Sequence, residues 1–290
     1  MVLPLDIAAP PPTIPPGIGP DGWQRWLFDD FGNGLKVDGV DPGGLWRRTF
    51  TTGVMTLNRE RQGYVFPCQA GKNGTRGRYN PFSTVMRGGK SWLAITARKT
   101  PPDEKDATWD MPYQSGVIAN WSKGNQTYGY FEATMILPDV KGMWPAFWLM
   151  NGDGPGGLPD VWPPEIDILE WPNGKDAGPT KVWVNSHWPD LSKPTKRASA
   201  GGWLDIGTSV HEPVVYGCLW TPKHVSFYHN GRLSRSLPNP EASMAVHGMH
   251  LPMHVVINLA MGDPWPGPVD ESKLPCALLV TDVGQWRAPA

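Results

Sequence analysis

Cysteine is scarce in this chain, and a long apolar run is missing. Cys68, Cys218 and Cys276 are the only cysteines among 290 residues, and none has the Cys-x-x-Cys spacing of a metal cluster. Their odd number allows one disulfide with one free thiol, or three buried thiols. No apolar run approaches the ~18 residues that span a bilayer, which excludes a helical membrane protein.

An excess of charge of one sign is also missing. The formal net charge is −1, which gives no electrostatic basis for binding nucleic acid or an anionic membrane. The opening segment MVLPLDIAAPPPTIPPG has neither the basic nor the apolar region of a signal peptide, so no intact leader is predicted. Hydrophobic residues make up 40% of the chain, which is enough for a sizeable core and argues against disorder.

Glycine, proline and tryptophan are abundant instead. The chain holds 34 glycines and 33 prolines, and because proline neither donates to a β-ladder nor continues a helix, many short elements joined by turns are predicted. Sixteen tryptophans exceed what one core requires. Their flat apolar rings stack well on the C–H faces of sugars, and a tryptophan-rich core is the alternative interpretation.

The pattern along the chain predicts one all-β domain. Residues 1–22 are rich in proline and predict an arm or linker, and residues 23–290 predict a single domain. Short β-branched and aromatic runs recur there, with Asn230-Gly231 predicting a type I′ hairpin turn. Residues 241–247 predict one short helical turn. The predicted fold is a sandwich of two sheets.

The acidic residues of interest lie in the segment WPPEIDILEW. Period-two geometry places Glu165 and Asp167 on one face of a strand, but strict alternation would bury Glu170. Because burying an unpaired carboxylate is unfavourable, we predict a β-bulge near Ile168 and Leu169. The extra residue returns Glu170 to the acidic face.

Three carboxyl groups on one face titrate as a coupled set, in which one stays protonated while another is ionised. Glycoside cleavage requires that division, and two glutamate side chains can reach the ~5–5.5 Å separation of a retaining glycosidase. A solvated acidic stripe and a calcium site are the alternatives. The flanking Trp162 and Trp171 favour a covered cleft over a stripe, and no EF-hand-like spacing favours calcium.

Several segments together resemble glycoside hydrolase family 16. The segment EIDILE resembles the bulged form, E-x-D-x-x-E, of the family's active-site signature. Four further segments resemble family motifs in the expected order, namely residues 58–62 (NRERQ), 128–133 (YGYFEA), 143–150 (MWPAFWLM) and 258–267 (NLAMGDPWPG). The resemblance covers roughly residues 26–286.

The resemblance implies a β-jelly roll of two curved antiparallel sheets with an open cleft on the concave face. It also implies endo-acting, retaining hydrolysis of β-linked polysaccharides. Glu165 would be the nucleophile and Glu170 the general acid/base, while Asp167 would hydrogen-bond the nucleophile.

The resemblance further implies a set of sugar-binding residues. The tryptophans of the 143–150 segment would form part of the cleft wall. The histidine of this set matches a position near the acid/base, with a satisfied histidine in a strand pair as the alternative. Its asparagine and last tryptophan would contact sugar, or serve as turn or core residues. The set is Trp144, Trp148, Trp171, His187, Asn58 and Trp265.

Three departures from the family pattern narrow the expectation. Val117 stands where the family commonly has arginine, which removes a polar substrate contact. Thr281 replaces an aspartate that often serves a structural calcium, so we expect neither that calcium nor any other metal or cofactor. Pro163 and Pro164 precede Glu165 where laminarin-degrading members more often have glycine, and this resembles bacterial members acting on exopolysaccharides or mixed-linkage glucans.

The sequence therefore predicts an endo-β-glucanase acting on β-1,3 or mixed β-1,3/1,4 glucans. A decorated bacterial exopolysaccharide, such as a succinoglycan-like polymer, is the alternative substrate. A lectin on the same sandwich is the alternative function, although a pure binder has no use for three adjacent acids. We expect a monomer, secreted or periplasmic, whose partner is a polysaccharide and which binds neither nucleic acid nor membrane.

Overall fold

A computed structural model describes residues 9–152, 162–174, 176–190, 192–193, 197–239, 249–262 and 264–289. Within these ranges the chain is built almost entirely of β-strands, with three short 3₁₀ helices at Pro102–Glu104, Asp106–Thr108 and Glu271–Lys273. No helix in the described ranges is long and apolar enough to cross a membrane. The helical turn predicted at residues 241–247 lies outside the described residues.

Sixteen strands are found in the described ranges. They are β1 (Gln24–Asp29), β2 (Gln62–Tyr64), β3 (Phe82–Arg87), β4 (Lys90–Lys99), β5 (Tyr113–Ser115), β6 (Val117–Ala119), β7 (Gly129–Ile136), β8 (Met143–Asn151), β9 (Glu165–Glu170), β10 (Lys181–Pro189), β11 (Arg197–Asp205), β12 (Val214–Trp220), β13 (His224–His229), β14 (Arg232–Pro238), β15 (Met253–Met261) and β16 (Cys276–Arg287).

These strands form two sheets. The larger has ten strands in the order β14-β13-β12-β7-β16-β4-β5-β2, with β1 added on β16 and β3 on β4. The smaller has six, in the order β11-β10-β9-β8-β15-β6. Both residues of the loop between β13 and β14 have positive φ, 48° at Asn230 and 79° at Gly231, as a type I′ turn requires. The predicted hairpin and two-sheet sandwich are confirmed.

The main core fills the space between the sheets. Side chains alternate along β8, so that Phe147 and Leu149 join this core while Trp144 and Trp148 face the other way. Fully burying each such large apolar side chain stabilises the fold by about 1.5–3 kcal/mol. The alternation leaves the outer face of the smaller sheet free to carry a site.

The described part of the proline-rich segment packs against the outer face of the larger sheet. Thr13 forms a β-bridge with Arg232 on the edge strand β14. Ile14 is 1% exposed in a separate buried cluster that includes Tyr130 and Trp286. Residues 9–22 therefore lie on the body of the domain, and residues 1–8 are outside the described ranges.

All three cysteines are free thiols. Cys68 is exposed, Cys218 is buried and Cys276 is partly buried. Neither of the two arrangements considered from the sequence is therefore correct, since no disulfide forms and only one thiol is fully buried.

Candidate active site

The catalytic strand β9 contains the predicted bulge. Its pairing with β8 skips Ile168, because Asp167 and Leu169 pair with consecutive β8 residues. Both Ile168 and Leu169 are buried in the main core. Glu165, Asp167 and Glu170 consequently all face away from the core, and the prediction is confirmed.

Strand register arranges the outer face of the smaller sheet in three rows that cross β8, β9, β10 and β11. Directly paired residues lie on the same face of adjacent strands, with Cβ atoms about 4.5–5.5 Å apart. The first row is Met150, Glu165, His187 and Ser199; the second is Trp148, Asp167, Asn185 and Gly201; the third is Ala146, Glu170, Trp183 and Trp203. Each catalytic candidate therefore has its own set of cross-strand neighbours.

A cleft with two lobes lies over these rows. One lobe, of about 650 Å³, extends over β10 and β11, and the other, of about 310 Å³, extends over β8 and β15. The residues lining both lobes are Asn58, Trp144, Trp162, Glu165, Asp167, Glu170 and Arg197. The three carboxyl groups thus lie where the lobes meet, with room for a chain on either side.

Two indole N–H groups orient the glutamates. Trp162 Nε1 donates to Glu165 Oε2 at 2.9 Å, and Trp144 Nε1 donates to Glu170 Oε1 at 3.0 Å. Each bond fixes the orientation of one carboxyl group in the cleft.

The electrostatic environment differs between the two glutamates. Desolvation by burial, followed by the charge of Asp167, raises the pKa of both Glu165 and Glu170 well above the usual range. Arg197 opposes the rise in the pKa of Glu165, whereas Glu60 adds to the rise in the pKa of Glu170. The ionised form of Glu165 is therefore favoured by a cation that is not among the groups acting on Glu170.

His187 lies beside Glu165 and Asp167. Its Nε2 is 3.2 Å from Asp167 Oδ2 and 3.7 Å from Glu165 Oε1, and it also lies 2.9 Å from Asn185 Nδ2. The sequence placed this histidine near the acid/base, but the register opposes it to Glu165 and places Trp183 opposite Glu170. That expectation is corrected: His187 adjoins the candidate nucleophile.

Glu60 is a fourth carboxyl group in the cleft, which the sequence analysis did not single out. Its Oε2 accepts from Gln62 Nε2 at 2.6 Å and from the Tyr64 hydroxyl at 2.9 Å. Asn258 Nδ2 donates to the same hydroxyl at 2.8 Å, and Asn258 Oδ1 accepts from Trp148 Nε1 at 2.7 Å. Burial raises the pKa of Glu60 to about 7. This network holds Trp148 in the cleft wall.

The other predicted sugar-binding residues divide between cleft and core. Asn58, Trp144 and Trp265 line the cleft, and Trp265 is 37% exposed with its ring edge against Trp144 at 5.2 Å. Trp171 is different, because it is 2% exposed in the main core and its Nε1 donates to the Gly178 carbonyl. Its expected place beside the sugar is wrong: alternation after Glu170 turns the next side chain inward.

The departure at Val117 is explained by packing. Its side chain is fully buried in the cluster behind the cleft that also contains Trp144 and Trp148. An arginine there would place a charge in an apolar cluster.

Two groups of residues carry oxygen or nitrogen atoms of the kinds that bind metal ions. Donor atoms of Glu165, Asp167 and His187 lie within 4.8 Å of one another, but such acidic groups are common without an ion. Thr281 stands at the position of the family's calcium ligand, and the neighbouring Asp282 is paired with Lys90 Nζ at 2.7 Å. An ammonium group therefore already neutralises the carboxylate next to Thr281.

Sequence reasoning missed Trp183 and Trp203, which the register places beyond Glu170. A signal for the first was available, since Trp183 and His187 are four residues apart on one strand and therefore share a face. Trp203 is found only through its pairing with Trp183, which a single sequence does not specify.

The chain is similar to several known proteins. Residues 85–274 match glycosyl hydrolases family 16. The chain is 32% identical over 247 residues to the endo-1,3-1,4-beta-glycanase EglC of Rhizobium meliloti strain 1021, covering 83% of this chain and 47% of that protein. It is 29% identical over 243 residues to the endo-1,3-1,4-beta-glycanase ExsH of the same strain, covering 81% and 46%. The chain spans about half the length of both relatives.

The fold is also similar to a solved structure. It superposes on the laminarinase catalytic domain of Thermotoga maritima MSB8 with a TM-score of 0.67 at 23% identity, covering 93% of this chain and 100% of that one. The family match spans well over half the chain and includes β9 with its three carboxyl groups. This chain belongs to glycosyl hydrolase family 16.

Proposed function

We propose that this chain is a retaining endo-β-glucanase that hydrolyses β-1,3 or mixed β-1,3/1,4 glucans by double displacement. The observation that carries the proposal is the position of Glu165, Asp167 and Glu170 on one face of β9, where the two lobes of the cleft meet. A cleft open on both sides of the carboxyl groups suits cleavage within a chain. The activity named for the two rhizobial relatives supports the substrate class.

In the first step, Glu165 attacks the anomeric carbon while Glu170 gives its proton to the leaving oxygen. The raised pKa of Glu170 keeps that proton in place before the step. Asp167 lies next to Glu165 on the same face of β9, and its contact with the Glu165 carboxyl group positions that group for the attack. The products are a glycosyl ester on Glu165 and a free reducing-end fragment.

In the second step, Glu170 acts as a base. Glu170 is a carboxylate after the first step, and it removes a proton from a water molecule. The water oxygen then attacks the anomeric carbon and breaks the ester bond to Glu165. Two inversions leave the configuration of the sugar retained. These side chains supply the acid, the base and the nucleophile, so we propose that turnover needs no metal or cofactor.

The proposed substrates are polymers too large to enter a cell. We therefore propose that the protein acts in the periplasm or outside the cell. We also propose that it acts as a monomer.

Product sizing tests the proposal. The protein is incubated with laminarin, lichenan and curdlan beside a Glu165→Gln control, and the anomer first released is followed by NMR. We expect short oligosaccharides of retained β-configuration, which the control does not form. First release of the α-anomer would contradict the retaining mechanism, and unchanged activity of Glu165→Gln would contradict the site.

A second substrate is favoured by one observation. Lys193 and Arg197 both line the larger lobe, and two cations at the cleft suit a polymer with acidic substituents. A decorated, succinoglycan-like exopolysaccharide has that chemistry. Cleavage of such a polymer at rates well above those on laminarin and lichenan would establish it, and comparable rates on the neutral glucans would exclude this preference.

A further inference from the structure

We propose that Trp183, Trp203 and Trp265 form a distal subsite that binds one or two unreacting neutral hexose units beyond Glu170. This inference rests on the proposed function, because it assigns part of the same cleft to a β-linked polysaccharide.

Register places the first two rings in line with the acid/base. Glu170 pairs with Trp183, and Trp183 pairs with Trp203, across three adjacent strands. Because neighbouring strands lie about 4.8 Å apart, Trp203 is about 10 Å from Glu170 across the sheet, which is comparable to the length of a disaccharide. β11 is the edge of the sheet, so this row runs from the reacting centre to the end of the cleft floor.

Ring contacts join these residues into one aromatic wall. Trp183 meets Trp203 edge to face at 5.7 Å and meets Trp265 in the same way at 5.5 Å. Trp265 in turn contacts Trp144, whose indole N–H donates to Glu170. The wall is therefore continuous with the bond that orients the acid/base.

These three tryptophan rings do not fill the hydrophobic core. Trp183, Trp203 and Trp265 lie outside the three buried clusters of the described residues, and all three are partly exposed. Trp183 and Trp265 line the larger lobe of the cleft. Edge-to-face contacts hold each ring in a fixed orientation, which lowers the entropy lost when a sugar stacks on it.

The chemistry of the row indicates its ligand. Beyond Glu170 it carries only indole rings, so it offers apolar faces and no charge for an anionic group. Stacked rings recognise the C–H faces of a neutral pyranose.

The test compares chain lengths in two backgrounds. Trp203→Ala and Trp203→Phe are made in the active protein for kcat/KM, and again with Glu165→Gln for calorimetric Kd. Glucan oligosaccharides of three to seven units are the ligands. Trp109→Ala is the matched control, because Trp109 is 53% exposed and follows the 3₁₀ helix Asp106–Thr108, outside the smaller sheet that carries Trp203.

We expect Trp203→Ala to weaken binding of six- and seven-unit ligands by about five- to tenfold, and binding of three units by less than about twofold. Trp203→Phe should recover most of the loss, and Trp109→Ala should match its parent. An equal loss at every length, or no loss at any length, would overturn the subsite.

The outcomes also separate the two proposals. If the protein cleaves glucans but the loss of binding in Trp203→Ala is the same at every ligand length, the subsite alone is wrong. If nothing is cleaved but length-dependent binding is lost in Trp203→Ala, the enzymatic proposal alone is wrong. If glucans are neither cleaved nor bound, both are wrong.

Discussion

Both outer faces of the sandwich carry glutamates that are largely or fully shielded from solvent, but the surroundings of these glutamates differ between the two sheets. On the larger sheet, Glu132 is 1% exposed and accepts from the Gly17 backbone N–H at 2.7 Å and from the Tyr130 hydroxyl at 2.8 Å. On the smaller sheet, Glu165 and Glu170 each accept one indole N–H and line an open cleft.

The difference lies in what covers each carboxyl group. The proline-rich segment closes over Glu132. One Glu132 oxygen holds that segment by accepting from the Gly17 N–H, and the other accepts from the Tyr130 hydroxyl on β7. Glu165 and Glu170 line the cleft beside other carboxyl groups. Burial, and then the charge of Asp167, raises the pKa values of both. Glu132 is therefore enclosed by donors that stabilise the structure, whereas Glu165 and Glu170 have the neighbouring like charges and the cleft that are typical of functional sites.

Neutralising the acid/base should give the largest effect. We expect Glu170→Gln to lower kcat/KM on glucans by about 10³-fold, because no proton reaches the leaving oxygen. Its melting temperature should equal or exceed that of the parent, since one of several crowded carboxyl groups is removed. Reducing-sugar assays and circular dichroism measure both, and a large fall in melting temperature would contradict the comparison.

A glutamate-to-glutamine substitution on the outer face of the larger sheet should lower stability and leave activity nearly unchanged. Glu132→Gln keeps one acceptor oxygen and presents an amide to the second donor, so we expect a loss of about 1–3 kcal/mol in the free energy of unfolding. Urea denaturation measures it. Activity should remain within about twofold, and a strong loss of activity without a loss of stability would show that Glu132 is not structural.

Glu60 allows a finer test within the cleft. Its pKa is about 7, so at higher pH it is ionised and its charge raises the pKa of Glu170. Removing that charge should lower the pKa of the acid, so Glu60→Gln should move the basic limb of the kcat/KM profile down by roughly half a pH unit. A shift to higher pH would contradict the direction of this coupling.

The smallest effect should come from chelation. Because Lys90 already pairs with Asp282, we expect EDTA to change the melting temperature by less than about 1 °C. Restoration of a lower melting temperature by added calcium would show that the site is used after all.

The directions of the β9 side chains could largely be predicted from the sequence, because they follow one local rule. Alternation, with the cost of burying a carboxylate, predicts the bulge and the shared face of Glu165, Asp167 and Glu170. The same rule, applied to the next residue, predicts that Trp171 enters the core. The expectation that Trp171 lies beside the sugar does not follow from alternation.

Other parts of the site depend on pairing between distant segments. Glu60 reaches Trp148 only through Tyr64 and Asn258, which lie almost two hundred residues apart in the chain. Trp203 is located by its partner across β10 and β11. No periodicity specifies such contacts, because they arise from the order of strands in the sheet.

The bulge in β9 has a consequence for changes in chain length. Since Ile168 and Leu169 both point inward, deleting Ile168 leaves a sequence whose ordinary alternation still presents all three acids to the same side. Insertions and deletions elsewhere in a strand exchange its two faces. At this one position the catalytic strand can gain or lose a residue without inverting its chemistry, so homologues of two different strand lengths can share one arrangement of acids.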